Sequence, residues 1–185
     1  MIKIRKAFPA DAAAIAPLML SAMEEIVFYF MGERDRQKAI ALLTYLISQP
    51  ENQYSYEHII VAEEDEKIIG QICLYPGDAL EQLRAPVRAY LRKHFNRAPA
   101  LGEETHAEET YIDTLAVDPA AQGRGIGKIL LLYVIDLFVH RYGEVLGLLV
   151  EKDNDRAKTL YLNIGFKPTG TVHLFDKTFE HLHYS

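Results

Sequence analysis

A single cysteine, Cys73, is all the thiol chemistry in this 185-residue chain. It excludes a disulfide framework and a thiolate metal site. Cys73 lies in Ile68-Ile69-Gly70-Gln71-Ile72-Cys73-Leu74-Tyr75, a run that reads as a strand, so an inert buried thiol is expected. Positive charge is also short: 20 Lys and Arg against 26 Asp and Glu leave a formal charge of -6. That balance argues against a nucleic-acid or anionic-membrane partner and leans, weakly, toward a cationic substrate. No continuous apolar run approaches the roughly 18 residues of a membrane span. The N-terminus, Met1-Ile2-Lys3-Ile4-Arg5-Lys6, alternates apolar and basic residues and lacks the apolar core of a signal peptide. Internal repeats and low-complexity tracts are missing too. A cytoplasmic enzyme built as one domain, residues 1–185, is the simplest class.

What is present alternates between the two hydrophobic periods. Ile2 to Ala7 reads as a strand, and Pro9 and Asp11 open a helical region that reaches Ser48 with an interruption near Gly32. His58 to Ala62 and Lys67 to Tyr75 form a predicted hairpin around the acidic turn Glu63-Glu64-Asp65-Glu66. Residues 78–108 are read as an insertion: a helix from Asp78 to His94, with Leu80, Leu83, Val87, Tyr90 and Leu91 in helical spacing, then a polar loop. Tyr111 to Val117 is a strand, with Tyr111, Asp113, Leu115 and Val117 expected on one face. Gly127 to Arg141 is a long helix, apolar nearly all round and so expected to be mostly buried. Val145 to Val150 is a strand covered on both faces. Asp153 or Asn154 caps a helix that ends at Gly165, and strands at Thr171–Phe175 and Phe179–His183 close the chain.

The segment richest in chemistry is Leu115-Ala116-Val117-Asp118-Pro119-Ala120-Ala121-Gln122-Gly123-Arg124-Gly125-Ile126-Gly127-Lys128. A strand feeds a glycine loop that opens a helix. Without Cβ atoms in the way, several backbone N–H groups can converge, and the helix dipole adds to their pull on a phosphate. Lys128 and Arg124 are candidates to add charge. The P-loop pattern fails, because Gln122 stands where its first glycine belongs and Ile129 follows Lys128. The dinucleotide pattern fails because Gly123, Gly125 and Gly127 are each two apart. On spacing alone, a tight turn that binds nothing stays open.

The sequence closely resembles the GNAT superfamily of N-acetyltransferases at these residues. Gln122-Gly123-Arg124-Gly125-Ile126-Gly127 matches the family's pyrophosphate loop, and Leu115-Ala116-Val117-Asp118-Pro119 matches the strand end that precedes it. A second family element is Leu148-Leu149-Val150 followed by Asn154, Ala157, Tyr161 and Gly165-Phe166. The resemblance implies an α/β (α+β) fold: a mixed, mostly antiparallel central sheet with helices on both faces, splayed into a V between two neighbouring strands. It implies acetyl-CoA as cosubstrate, with Gln122, Gly123, Arg124, Gly125, Ile126, Gly127 and Lys128 around the pyrophosphate. Leu115, Ala116 and Val117 would meet the pantetheine and thioester, with Asn154, Ala157 and Tyr161 opposite. Homodimers are frequent among members, and the oligomeric state stays open.

Transfer of an acetyl group to an amine, by direct attack through a tetrahedral intermediate, makes four demands. The amine must lose a proton, the oxyanion needs a donor, the thiolate needs an acid, and both substrates need alignment. The Leu115 N–H is a candidate oxyanion donor and Tyr161 a candidate acid. Asn154, Ala157 and Tyr161 share one helix face at i, i+3 and i+7. The base is Asp113, on the expected face of Leu115, or Glu109 at the start of that strand. His181 and His183 share a strand face but lack an evident third ligand, so no metal is expected. Asp153-Asn154-Asp155 lacks the glycine of a calcium loop. Glu103-Glu104 and Glu108-Glu109 read as a solvated loop. The insertion is expected to border the acceptor site, whose amine the sequence leaves unidentified. The rival reading is a catalytically silent CoA-binding domain.

Overall fold

The computed structural model describes residues 1–185. Its elements in chain order are β1 (Lys3–Lys6), α1 (Ala12–Met31), α2 (Arg36–Ser48), β2 (Ile59–Glu64), β3 (Lys67–Pro76), α3 (Leu80–Phe95), β4 (Thr110–Val117), α4 (Ile126–Val134), β5 (Leu146–Glu151), α5 (Asp155–Ile164), β6 (Lys167–Leu174) and β7 (Lys177–Tyr184). Seven strands make one sheet in the order β1-β2-β3-β4-β5-β7-β6, and only the β4–β5 pair is parallel. The fold is therefore the mixed, mostly antiparallel sheet implied by the resemblance.

Two apolar layers sandwich this sheet. On one face α1, α2 and α3 bury Ile15, Met19, Leu20, Leu43, Leu46 and Leu91 against β-strand residues such as Val61, Cys73 and Tyr111. On the other, Ile126, Leu130, Leu131 and Val134 of α4 meet Ile60, Ile72, Leu74, Ile112 and Leu148. Each such fully buried aliphatic side chain contributes about 1.5–3 kcal/mol over an exposed one. Cys73 is free and buried, as its strand reading required.

Local sequence sets the element ends. Asp35 accepts a hydrogen bond from the Lys38 amide at 3.0 Å and starts α2. Gly32 ends α1 in the left-handed region, the interruption expected there. Asn154, not Asp153, caps α5: its Oδ1 accepts the Ala157 amide at 3.1 Å. A kink unforeseen in the sequence sits at Met23, whose backbone leaves helical values inside α1.

Two expectations need correction. The helix from Gly127 to Arg141 is regular only to Val134 and continues as a wider π-type turn over Ile135–Arg141. It is also not buried all round, because Ile129, Leu132 and Tyr133 face solvent. The stretch Pro9–Met31 has the length and mean hydropathy (1.5) to cross a membrane, although Asp11, Glu24 and Glu25 interrupt any continuous apolar run. Here half of its most apolar window is buried, with Ile15, Ala16, Met19 and Leu20 in the core.

Candidate active site

Parallel pairing between β4 and β5 covers only Thr110↔Leu146, Tyr111↔Gly147 and Ile112↔Leu148. Beyond Ile112 and Leu148 the strands run on, to Val117 and Glu151, with no pairing between them. This is the V-shaped splay. The Asp118 amide bonds to the Ile69 carbonyl at 2.9 Å, and Leu115 and Val117 lie opposite Ile72 and Gly70 in the antiparallel β3–β4 register. Alternation then points the backbone groups of Ala116 and Asp118 at β3, and those of Leu115 and Val117 into the open gap. The Leu115 N–H is thus a donor with no strand partner on its side.

Two cavities meet at this gap. One, of about 470 Å³, is lined by Leu115, Val117, Gln122, Gly123, Gly125, Gly127 and Lys128 on one side and by Asn154, Arg156 and Tyr161 on the other. The second, of about 300 Å³, lies deeper and includes Tyr54, Glu104, Tyr111, Asp113 and Phe175. Leu115, Asn154, Ala157 and Tyr161 belong to both and mark the junction.

The outer cavity has the shape of an anion cradle. Gly123 and Gly125 hold φ values of 79° and 78°, which L side chains rarely adopt, and a Cβ on either would point into open space. Gly125 is the N-cap of α4, so the free amides of the first turn face the same region. Lys128 and Arg156 supply positive charge along its wall. Arg124 does not: its guanidinium forms a two-pronged pair with Glu64 at 2.8 and 2.9 Å, away from the cavity. Ile126 buries its side chain in the core and offers only backbone to a ligand, whereas Ala116, expected beside the cofactor, turns its backbone to β3 and lines neither cavity.

Tyr161 stands at the junction, its ring packed edge-on against Phe166 at 5.8 Å. Burial pushes its phenol up to about 12, so the proton stays on oxygen at neutral pH.

The inner cavity is acidic. Asp113 accepts a hydrogen bond from Tyr75 Oη at 2.5 Å and one from Gln53 Nε2 at 3.3 Å, both on Oδ2. Burial raises its pKa against the pull of those donors. Glu104 comes from the insertion, whose acidic loop reads as solvated in the sequence, yet its side chain is only 14% exposed. Arg84 of α3, itself buried, donates from Nη2 to Glu104 Oε1 at 2.6 Å and from Nη1 to the Gly102 carbonyl at 2.9 Å. Desolvation, with Asp113 nearby as a second contribution, pushes Glu104 up to about 7. The helical part of the insertion thus holds its loop part against the cavity. Sequence carried one clue, a lone Arg84 within an otherwise apolar helix stripe, but nothing that named its partner.

Asp113 and Glu109 end in different places. Register slips at Cys73/Leu74, where Cys73 lies opposite Thr114 and Leu74 opposite Ile112, leaving Asp113 as the extra residue of a bulge. Its carboxylate therefore joins Tyr75 and the α1 side of the sheet, while Leu115 and Val117 pack toward α4. They do not share the face expected from simple alternation. Glu109 lines neither cavity. Its Oε2 takes His181 Nε2 at 2.8 Å and His183 Nε2 at 2.7 Å, and its Oε1 takes the His106 amide at 2.9 Å. Burial opposes its ionisation, but those donors outweigh it and hold the carboxyl below the usual range. His106 also supplies the third imidazole that the sequence did not reveal beside His181 and His183.

Comparison with known proteins agrees with this geometry. The model of the acetyltransferase (GNAT) family matches residues 21–166. The uncharacterized N-acetyltransferase YhfO of Bacillus subtilis (strain 168) is 30% identical over 173 residues, 93% of this chain and 95% of that protein. The N-alpha-acetyltransferase RimI of Mycobacterium tuberculosis is 45% identical over 62 residues, 34% of this chain, and the match spans only 37% of that protein. A crystal structure of an acetyltransferase superposes with a TM-score of 0.81 at 31% identity, covering 98% of this chain and 97% of the other. The strand splay, the glycine loop at the head of α4 and these matches make the chain a member of the GNAT acetyltransferase family.

Proposed function

We propose that this protein is an N-acetyltransferase that uses acetyl-CoA to acetylate a primary amine, and that the amine-bearing acceptor is cationic and enters the acidic inner cavity. The observation that carries this reading is the junction of the two cavities at Leu115, Asn154, Ala157 and Tyr161. It joins an anion cradle to a carboxylate-lined chamber across the gap between β4 and β5.

The cradle tests well for fit to the cosubstrate. Positive-φ glycines open to space, the N-terminal amides of α4, Lys128 and Arg156 suit a pyrophosphate, while the unpaired backbone edge of Leu115 and Val117 suits an amide-bearing arm. Bound there, acetyl-CoA supplies the activated acetyl group. The residues of the chain do the rest. The Leu115 N–H donates to the thioester oxygen, where negative charge grows during attack. Tyr161 Oη–H gives its proton to the departing sulfur. Glu104 and Asp113 hold the ammonium group of the acceptor, and the ionised Glu104 takes its proton, since a base near pH 7 is half available at neutrality. Asp113, tied to Tyr75 and Gln53, fixes the position of the nitrogen.

A panel of mono- and polyamines, aminoglycosides and peptide amino termini, assayed by release of free CoA, tests this reading. Cationic amines should outpace neutral amines and hydroxyl acceptors. CoA binding without release from any amine would favour the silent CoA-binding alternative.

A further inference from the structure

Outside both cavities, beside the paired start of β4 and β5, His106, His181 and His183 each offer one ring nitrogen within 4.8 Å of the others. They come from two elements: His181 and His183 from β7, and His106 from the loop that ends the insertion. The rings meet edge-on at 4.4, 4.7 and 5.9 Å between centroids. Below them lies Glu109, fully buried, accepting from both β7 imidazoles. Gly147 on β5 leaves it room, since a Cβ there would fall 1.7 Å from Glu109 Oε2.

A second observation singles out this cluster. His181 is 1% exposed, and its Nδ1 has no hydrogen-bond partner. Because Glu109 accepts at Nε2, that nitrogen carries the ring proton and Nδ1 is a bare lone pair in a buried site. Buried polar atoms in native proteins are nearly always satisfied, so one left bare beside two more imidazoles calls for a ligand. An imidazole that gives one N–H to a carboxylate and turns its other nitrogen to a neighbour group is the arrangement that metal-ligating histidines adopt.

We propose that His106, His181 and His183 form a binding site for a divalent transition-metal ion of the zinc type, with Glu109 as the carboxylate that orients the β7 imidazoles and balances the charge. Imidazole nitrogens with one carboxylate favour such an ion over calcium or magnesium, which prefer oxygen. Bond lengths of about 2.0–2.1 Å require the nitrogens to close up from their present spacing. His106 can supply that movement, being exposed and on a loop, and His183 is 27% exposed, so an ion has a path in from solvent. The site would tie the end of the insertion to β7. Glu104 lies two residues before His106, so the ion would also steady the acidic wall of the inner cavity from outside it.

The test uses the full chain without a polyhistidine tag, stripped with a chelator and titrated with Co²⁺ while its visible d–d absorption is followed. Wild type should saturate near one equivalent, Zn²⁺ should displace the cobalt, and Zn²⁺ at about 100 times its dissociation constant should raise the Tm by roughly 5 °C. His106→Ala, at an exposed position, and His183→Gln should abolish the absorption and the Tm shift, while His140→Ala should keep both. Glu109→Gln should bind roughly 10–100-fold more weakly. Absence of a cobalt band in wild type, or equal binding by wild type and His106→Ala, would overturn the site. Neither readout depends on acetyl transfer, so the metal site and the catalytic reading stand or fall separately.

Discussion

Asp113 and Leu115 are two residues apart on one strand, yet they serve opposite faces of the sheet. The bulge at Asp113 turns its carboxylate toward Tyr75 and Gln53 while Leu115 packs toward α4 and sends its amide into the gap. One strand thereby presents an anion to the inner cavity and a hydrogen-bond donor to the junction. Removing the carboxylate while keeping its shape should separate these roles. Asp113→Asn should raise KM for a cationic acceptor by roughly tenfold or more, the loss of one charge-assisted contact of about 1.5–3 kcal/mol. Affinity for CoA, measured by calorimetry, should stay within about twofold. An equal loss in both would mean that the bulge shapes the cofactor arm instead.

Glu104 gives a pH signature. Its pKa near 7 predicts that kcat/KM rises through neutrality as the carboxylate ionises, and Glu104→Gln should remove that limb and lower the rate by about 10²–10⁴. Stability should move the other way in wild type. Between about 4.5 and about 7 the folded protein keeps a proton on Glu104 that the unfolded chain has released, so unfolding free energy falls as pH rises across that window. Glu104→Gln should flatten this slope, readable from urea denaturation at several pH values. A slope and a rate limb both unchanged in the variant would clear Glu104 of either role.

Arg84 positions Glu104 and lines neither cavity. Arg84→Met keeps the packing of the stem and removes both anchors, to Glu104 and to the Gly102 carbonyl. The expected result is a higher acceptor KM and an altered pH limb, because Glu104 loses its held geometry, with CoA affinity unchanged. A lower kcat at unchanged acceptor KM and pH profile would point to a structural role alone.

Tyr161→Phe keeps the ring against Phe166 and deletes only the proton donor. A drop in kcat of about 10²–10⁴, with acetyl-CoA affinity nearly constant, is expected. The deficit should shrink with an acyl donor whose thiol leaves more easily. Wild-type kcat in the Phe variant would return Tyr161 to a packing residue.

The two local motifs were legible because their physics is local. Glycines that must take positive φ at 123 and 125, an Asn154 cap and a Tyr161 on the same helix face are all set by neighbours within a dozen residues. The rest depends on partners far along the chain. The Asp113 bulge is a property of β3–β4 register, invisible in strict alternation. Glu104 reads as solvated until Arg84, twenty positions earlier, folds over it. Glu109 resembles a strand base until His181 and His183, more than seventy residues later, claim it. The apolar surface of α4 at Ile129, Leu132 and Tyr133 misled in the other direction, because composition alone cannot say which apolar residues face solvent.

Acetyl-CoA is expected in the gap between β4 and β5, headed by the Gly123–Gly127 loop. Calorimetric titration of acetyl-CoA into wild type and Gly125→Val tests this most directly. Gly125 sits at φ 78° with open space beyond its Cα, so Val would both strain the turn and fill the phosphate's approach. Wild type should bind one equivalent, and the variant, folded by circular dichroism, should bind at least tenfold more weakly. No heat of binding in wild type at millimolar acetyl-CoA, or equal affinity in the two proteins, would place the cosubstrate elsewhere or rule it out.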